Sequence, residues 1–169
     1  MRVYSTIGPV PAFLINSIAF LGTAVFWEVV AWWMHKYVMH GPGWILHEDH
    51  HKKSGHKPQK NDLYALFFAF CSFLLIYNGL KWSWPPMAAS GFGVAFYGVG
   101  YVGFHDIMFH RRIRAIRIKP KSTYMRRIID NHRVHHGTVT KEKATSFGFL
   151  WAPRPAVRPT GDIPEELQR

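Results

Sequence analysis

The sequence predicts an all-α integral membrane protein, a helical bundle with three or so transmembrane helices and a cytoplasmic helical cap that is rich in histidine. Three observations predict this fold. The 169 residues are 48% hydrophobic and 16% aromatic. Three apolar segments approach the roughly 20 residues that a helix needs to cross a ~30 Å hydrocarbon core. The net charge is +11, and the basic charge is confined to two blocks, residues 35–60 and 111–169, whereas a soluble domain carries charges on the surface of every element.

The first apolar segment, Ala12–Met34, is interpreted as a retained membrane helix rather than a signal peptide. Arg2 is the only base before it, and the apolar run continues to Trp33 without a convincing cleavage site. Pro9 and Pro11 suit the start of this helix, because proline lacks the N–H that a first helical turn leaves unpaired.

The second and third apolar segments are Leu63–Leu80 and Pro85–Phe104. The third is rich in glycine, and small residues let helices approach closely in lipid. A buried helical hairpin is the alternative for this segment. Four tryptophans lie at or next to the ends of the segments, where interfacial anchors are expected: Trp32, Trp33, Trp82 and Trp84.

Three spans would place residues 35–62 and 105–169 on the same side of the membrane. Both basic blocks lie on that side, and the opposite side carries only Arg2 and Lys81 as bases. The positive-inside rule therefore predicts a multi-pass protein of the inner (cell) membrane whose shared side, with the histidine motifs, faces the cytoplasm.

We expect residues 1–152 to form a single membrane domain and the proline-rich residues 153–169 to form an extended or disordered tail. Cys71 is the only cysteine, which excludes a disulfide framework and a thiolate metal cage. Any metal in this protein must therefore be bound by imidazole and carboxylate groups.

Ten of the eleven histidines fall into four motifs, and only His56 lies outside them. The motifs are two H-x4-H pairs and two H-x2-H-H triplets. Random placement at this composition gives about 0.7 such pairs but only about 0.05 such triplets, so the triplets are the specific signal. In chain order the motifs are His35-x4-His40, His47-x2-His50-His51, His105-x4-His110 and His132-x2-His135-His136.

Helical geometry gives these spacings a meaning. Positions i, i+3 and i+4 lie within about 100° on one helical face, so we expect each triplet to aim three imidazoles at a common point. Positions i and i+5 lie about 140° apart on a regular helix, so a pair converges only if its helix ends, bulges or serves two metals. A helix end is favoured, because His40 precedes Gly41-Pro42-Gly43 and His110 precedes two arginines.

Ten imidazoles exceed the four to six ligands of one metal and suit two. Imidazole binds zinc, copper, iron and nickel, but activation of O2 for chemistry on an apolar substrate requires a redox metal, which favours iron. Nearby carboxylates and amides are expected to fix histidine tautomers, with direct ligation by carboxylates as the alternative. These candidates are Glu48, Asp49, Asp106, Asp130, Asn131 and Asn61.

The order of the four motifs resembles the membrane fatty acid hydroxylase/sterol desaturase superfamily, and the surrounding sequence resembles its bacterial β-carotene hydroxylase branch. The strings that carry the resemblance extend from the first helix to the start of the tail. They are HKYVMHG (35–41), HEDHH (47–51), NDLYALFFA (61–69), FHDIMFH (104–110), NHRVHH (131–136) and SFGFLWAP (146–153).

The resemblance implies a non-haem di-iron monooxygenase that uses O2 and a ferredoxin-type electron donor. Its implied reaction is hydroxylation of the 3 and 3′ carbons of β-ionone rings, from β-carotene through β-cryptoxanthin to zeaxanthin, on a carotenoid taken from the bilayer. Catalysis is assigned to the di-iron centre itself, with no separate acid or base. The implied iron ligands are His35, His40, His47, His50, His51, His105, His110, His132, His135 and His136.

Other functions remain open at this point. The histidines alone also fit a fatty acyl or sterol hydroxylase or desaturase of the same superfamily. A metal transporter is disfavoured, because the predicted spans contain only Glu28, Asn16 and Asn78 as strongly polar residues in the first two helices. No nucleic-acid partner is expected, because membrane orientation already accounts for the basic block. A pH sensor or a metal-buffering surface does not need histidines in paired motifs.

Overall fold

The computed structural model describes residues 10–52, 58–113 and 115–152, and the regular structure within these ranges is helical, with no strand. The prediction of an all-α fold is thereby confirmed. Pro9, His56 and the tail 153–169 lie outside the described residues. Five α-helices and two π-helical segments follow one another: α1 (Ala12–Trp33), π1 (Met34–Met39), α2 (Trp44–His51), α3 (Asp62–Lys81), α4 (Pro85–Tyr101), π2 (Val102–Phe109) and α5 (Thr123–His136).

Three helices are long and apolar enough to cross a membrane, as the sequence predicts: Ala12–Met39, Asp62–Lys81 and Pro85–Phe109. The first and third extend beyond their predicted ends at Met34 and Phe104, because each continues without a break into a π-helical segment. Large apolar side chains remain exposed along the outer faces of these helices, including Phe13, Val25, Phe67, Phe73 and Val99. Such a surface suits a lipid environment.

The helix α4 packs against both α1 and α3 and forms the centre of the bundle. Glycine makes this packing close, because a Cβ on Gly91 would lie 2.8 Å from the backbone nitrogen of Ile76. The Ser72 hydroxyl donates a 2.9 Å hydrogen bond to the Gly91 carbonyl across the same contact. Between its contacts with α3 and α1, α4 exposes Phe92 and Phe96, which suits a membrane span with a lipid-facing side better than a buried hairpin.

The two shorter helices, α2 and α5, lie at one end of the bundle, where α1 and α4 end and α3 begins. Ser122 caps α5 by accepting a hydrogen bond from the Met125 backbone N–H. The Arg112 guanidinium makes a bidentate ion pair with Asp62 at 2.6 and 2.7 Å, which ties the chain after π2 to the first turn of α3. This end of the bundle holds the histidine motifs.

Candidate metal centre

Each π-helical segment brings together the two histidines of one H-x4-H pair. The His35 carbonyl accepts a 3.0 Å hydrogen bond from the His40 N–H, and the His105 carbonyl accepts one from His110. Residues five apart share a face when the helix widens in this way. The ring centroids accordingly lie 5.2 Å apart in the first pair and 4.6 Å apart in the second. The sequence left a helix end, a bulge or two separate metals as explanations for each pair. In the structure, each pair has a π-helical bulge with a helix end directly after it.

The ten motif histidines form two groups of five. Within each group, one ring nitrogen from every member lies within 4.8 Å of the others, close enough to hold one metal ion. We name the groups cluster A and cluster B. Cluster A comprises His35, His40, His47, His51 and His135, and cluster B comprises His50, His105, His110, His132 and His136.

The expectation that each triplet aims at a single point is wrong. In α2, His47 and His51 belong to cluster A, whereas His50 belongs to cluster B. In α5, His132 and His136 belong to cluster B, whereas His135 belongs to cluster A. The reason is the angular position of each residue around the helix axis. Position i+4 lies about 40° from i in one direction, whereas position i+3 lies about 60° from i in the other direction. Each of these helices therefore contributes to both clusters.

Hydrogen bonds at Nδ1 fix the ring orientation of every cluster A histidine. Four of these bonds go to backbone carbonyls of the segment 138–147, and the His47 Nδ1–H donates to the Asn61 side-chain oxygen at 2.6 Å. The carbonyl partners are Phe147 for His35 (2.9 Å), Lys141 for His40 (3.2 Å), Thr138 for His51 (2.8 Å) and Thr145 for His135 (2.7 Å).

In cluster B, side chains accept the Nδ1 hydrogen bonds of two histidines. The His50 Nδ1–H donates to the Gln59 side-chain oxygen at 2.9 Å, and the His105 Nδ1–H donates to the Asp106 carboxylate at 2.9 Å. Tyr101 stacks on His105, with ring centroids 4.3 Å apart, and its hydroxyl lies 3.2 Å from the His105 Nε2. Sequence reasoning missed both Gln59 and Tyr101.

The Nδ1 bonds leave the Nε2 atoms unprotonated, because a neutral imidazole carries a single proton. In cluster A the Nε2 of His47 lies 3.1 Å from that of His35 and 3.2 Å from that of His51. Two lone pairs cannot hydrogen-bond to each other, but a metal between them is stabilised by both. Two nitrogens bound at right angles, with bonds of roughly 2.1 Å, lie roughly 3 Å apart. The donor set of cluster A therefore fits a metal ion.

Cluster B satisfies the same test. The Nε2 atoms of His50 and His105 lie 3.1 Å apart, and both rings carry their proton on Nδ1. The His136 Nε2 is buried and has no hydrogen-bond partner among the residues that the structure describes. A buried nitrogen without a partner is costly unless it binds something else, and a cation in cluster B would satisfy it.

Burial keeps these imidazoles neutral. It lowers the pKa of His51 to about 3, with the neighbouring His47 adding to the effect, and it lowers the pKa of His110 to about 3, with Arg112 adding to it. Burial also places the pKa of four further histidines well below the ordinary range: His50, His132, His135 and His136. The neutral form is the one that binds metals.

The predicted tautomer-fixing residues divide into two groups. Asp106 and Asn61 bond directly to histidines, as described above. The others make their hydrogen bonds and ion pairs elsewhere: Glu48 and Asp130 lie on exposed helix faces, Asp49 contacts the turn before α3, and Asn131 contacts its own helix and the segment after it. Their partners are Lys52 for Glu48, the Lys60 N–H for Asp49, Arg133 for Asp130, and Ser146 and the Arg127 carbonyl for Asn131.

Comparison with known proteins places the site in a family. The fatty acid hydroxylase family model matches residues 20–152. The beta-carotene hydroxylase of Paracoccus sp. (strain PC1) is 35% identical over 150 residues, 88% of this chain and 88% of the relative. That of Pantoea ananas is 41% identical over 138 residues, 82% of this chain and 78% of the relative. The chloroplastic beta-carotene 3-hydroxylase 2 of Arabidopsis thaliana is 30% identical over 152 residues, 88% of this chain and 48% of the relative.

No solved structure shows significant similarity to the chain. The family match and the bacterial relatives each span most of its length, and the matched region contains all ten motif histidines. The chain therefore belongs to the fatty acid hydroxylase family and is similar over most of its length to bacterial beta-carotene hydroxylases.

Proposed function

We propose that this protein is a carotenoid hydroxylase of the membrane, which adds hydroxyl groups to the 3 and 3′ carbons of β-ionone rings. It would convert β-carotene to β-cryptoxanthin and then to zeaxanthin. The observation that carries this proposal is a pair of five-histidine clusters at one end of an apolar helical bundle, in a chain whose bacterial relatives are named beta-carotene hydroxylases.

Two non-haem iron ions are the proposed cofactors, one held by the ring nitrogens of cluster A and one by those of cluster B. When bound, iron supplies the activation of O2, the co-substrate, and the oxidising power for a ring C–H bond. The chain itself keeps the buried imidazoles neutral and orients seven of them through an Nδ1 partner. No separate acid or base is assigned, and all ten motif histidines are proposed ligands.

Aromatic side chains border cluster B. Phe149 is buried and lies 5.4 Å from Tyr101 and 6.3 Å from Phe109, measured between ring centroids. Phe109 in turn packs against His132 at 4.7 Å. An apolar surrounding suits a hydrocarbon substrate that arrives from the bilayer, because binding then removes no polar group of the substrate or of the aromatic lining from water.

A ferredoxin-type protein is the proposed electron donor, and the exposed basic residues after π2 are its proposed docking surface. We further propose that this surface and the histidine clusters face the cytoplasm from the inner membrane, with residues 1–152 forming one domain. Arg114 lies outside the described residues. The exposed bases are Arg111, Arg117, Lys119, Lys121 and Arg126, and the first four carry no acidic neighbour in sequence.

The deciding experiment is pigment analysis of a β-carotene-producing bacterium that expresses this chain. Zeaxanthin, with β-cryptoxanthin at early times, is the expected product. The purified active protein should contain about two irons per chain, since ten imidazoles suit two metals. Unchanged β-carotene in cells that hold the iron-loaded protein in their membranes would overturn the proposal, and hydroxylated or desaturated acyl chains or sterols would support the alternative substrates of this superfamily.

A further inference from the structure

Glu28 is an acid within the first membrane span, about two helical turns before the cluster A histidine His35. Its Oε1 accepts hydrogen bonds from three successive backbone N–H groups, those of Phe149 (2.9 Å), Leu150 (2.7 Å) and Trp151 (3.0 Å). Its Oε2 accepts a 2.8 Å bond from the Tyr97 hydroxyl. Successive backbone N–H groups form a concavity that binds anions, and here a side chain of the same protein fills it.

The residues so bound belong to a strap, which we define as residues 146–151. This strap contacts cluster A directly. The Phe147 carbonyl accepts the His35 Nδ1–H at 2.9 Å. The Phe147 ring packs against three cluster A imidazoles, with centroid distances of 5.6 Å to His35, 5.2 Å to His40 and 5.3 Å to His135. The strap thus covers cluster A and fixes one of its tautomers.

The strap lies far in sequence from the helix that it covers, since 112 positions separate His35 from Phe147. Side chains of α5 also anchor it: the Tyr124 hydroxyl donates to the Leu150 carbonyl at 2.6 Å, and the Ser146 hydroxyl donates to the Asn131 side-chain oxygen at 2.9 Å. An acid in a membrane span is costly unless it is fully hydrogen-bonded. The four hydrogen bonds to Glu28 meet that requirement, and three of them go to the strap.

We propose that Glu28 is a positioning residue for cluster A. By holding the strap, it keeps the Phe147 carbonyl on the His35 Nδ1–H, so that the His35 Nε2 stays unprotonated and available to a metal. This inference rests on the proposed function only in that cluster A is a metal site. The two Nδ1 bonds described above for cluster B go to Gln59 and Asp106 rather than to the strap, which borders this cluster through the Phe149 ring.

Cobalt(II) binding to the purified, metal-free full-length protein in detergent tests this role without enzymatic turnover. Cobalt reports on histidine ligation through its visible absorption, and two binding sites are expected for the parent protein. In Glu28→Gln the amide oxygen is uncharged and a weaker acceptor for the three N–H groups. We expect one cobalt site to weaken about 10- to 100-fold while the other is unchanged, and hydrogen exchange at residues 149–151 to accelerate.

Tyr97→Phe is the matched control, because it removes the bond at Oε2 and leaves the three strap bonds at Oε1. Its cobalt affinities should stay within about threefold of the parent values. Leu150→Pro removes one strap N–H without changing Glu28 and should weaken the same cobalt site. If Glu28→Gln does not accumulate in membranes, the cobalt affinities of Leu150→Pro test whether the strap supports cluster A.

The proposal is overturned if Glu28→Gln binds cobalt like the parent protein, if both sites weaken equally, or if Tyr97→Phe has the same effect as Glu28→Gln. Failure of the proposed function has a different signature. A parent protein that makes no hydroxylated carotenoid but binds two cobalt ions would reject the substrate and leave the role of Glu28 standing.

Discussion

Clusters A and B use the same ligand type and share the helices α2 and α5, yet they are supported differently. Four of the five cluster A histidines donate to backbone carbonyls of residues 138–147. The cluster B histidines His50 and His105 instead donate to the side chains of Gln59 and Asp106. Orientation of these four cluster A histidines therefore depends on the path of a loop, whereas that of His50 and His105 in cluster B depends on the identity of single side chains.

This difference determines how each cluster responds to mutation. A backbone carbonyl remains after almost any substitution, so cluster A is insensitive to the side chains that flank its carbonyl partners and sensitive to whatever holds the loop. Cluster B is instead sensitive to substitution of the side chains that accept its Nδ1 bonds, Gln59 and Asp106. Hydrogen bonds of both kinds raise ligand basicity and fix the tautomer, so the chemical outcome is the same although the sequence requirement is not.

The largest effect is expected from removal of a ligand in either cluster. His135→Ala in cluster A and His132→Ala in cluster B should each abolish zeaxanthin formation, because a vacant coordination position admits water or the wrong species. The measurement is pigment analysis in β-carotene-producing cells at equal membrane abundance, with iron content of the purified variants.

His56→Ala is the matched control for these variants. His56 lies outside every motif and should affect stability by no more than about 0.5 kcal/mol and leave the product unchanged. Normal zeaxanthin from both ligand variants, or none from abundant His56→Ala, would show that the cluster assignment is wrong. A loss in one cluster only would show that a single metal carries the reaction.

The next effect separates side-chain support from backbone support. Asp106→Ala removes the acceptor of the His105 Nδ1–H and should lower the metal affinity of cluster B by about 10- to 100-fold. Lys141→Ala should leave cluster A unchanged, because the His40 partner is the Lys141 carbonyl and the Lys141 side chain is exposed beside Glu142. Iron titration of the two purified variants measures this contrast, and an equal loss in both would remove the distinction between the clusters.

Acid should destabilise both clusters alike. Both His51 in cluster A and His110 in cluster B have a pKa of about 3 in the folded protein, against about 6.5 when unfolded. Above pH 6.5 neither state takes up a proton, so stability is unaffected. Below it the unfolded state is protonated first, and the free energy of unfolding should fall by about 1.4 kcal/mol per pH unit for each such histidine until pH approaches 3.

Denaturant unfolding of the metal-free protein in detergent between pH 7.5 and 5 measures this slope. His51→Gln and His110→Gln should each reduce it by a similar amount, because each removes one group that titrates only when unfolded. A stability that does not change between pH 6.5 and 5 would contradict the neutral, buried state of these imidazoles.

The smallest expected effect concerns the surface near cluster B rather than the clusters. If the exposed bases of residues 111–127 steer an acidic electron donor, reduction by ferredoxin should slow several-fold as salt rises, since the Debye length is about 8 Å at physiological ionic strength. Lys119→Glu should slow it at low salt. Reduction rates that are independent of salt would leave membrane orientation as the only reason for these charges.

Composition and spacing determined a large part of this protein. Apolar length and charge segregation predicted three membrane helices, and the structure confirms helices of the required length and hydropathy. The four motifs predicted a histidine-rich site at one end of the bundle, and ten histidines do converge there. These features are local, because hydropathy along a helix and the identity of a ligand are properties of the residues themselves.

Only the tertiary structure decided how those histidines are shared and held. The pairs converge because π1 and π2 replace α-helical turns, and the triplets divide because i+3 points away from i and i+4. The partners of cluster A are carbonyls up to 112 positions away, and every residue type carries the same carbonyl. No side-chain pattern records which carbonyl will be used, so the contact follows from the path of the chain, including the strap that Glu28 holds.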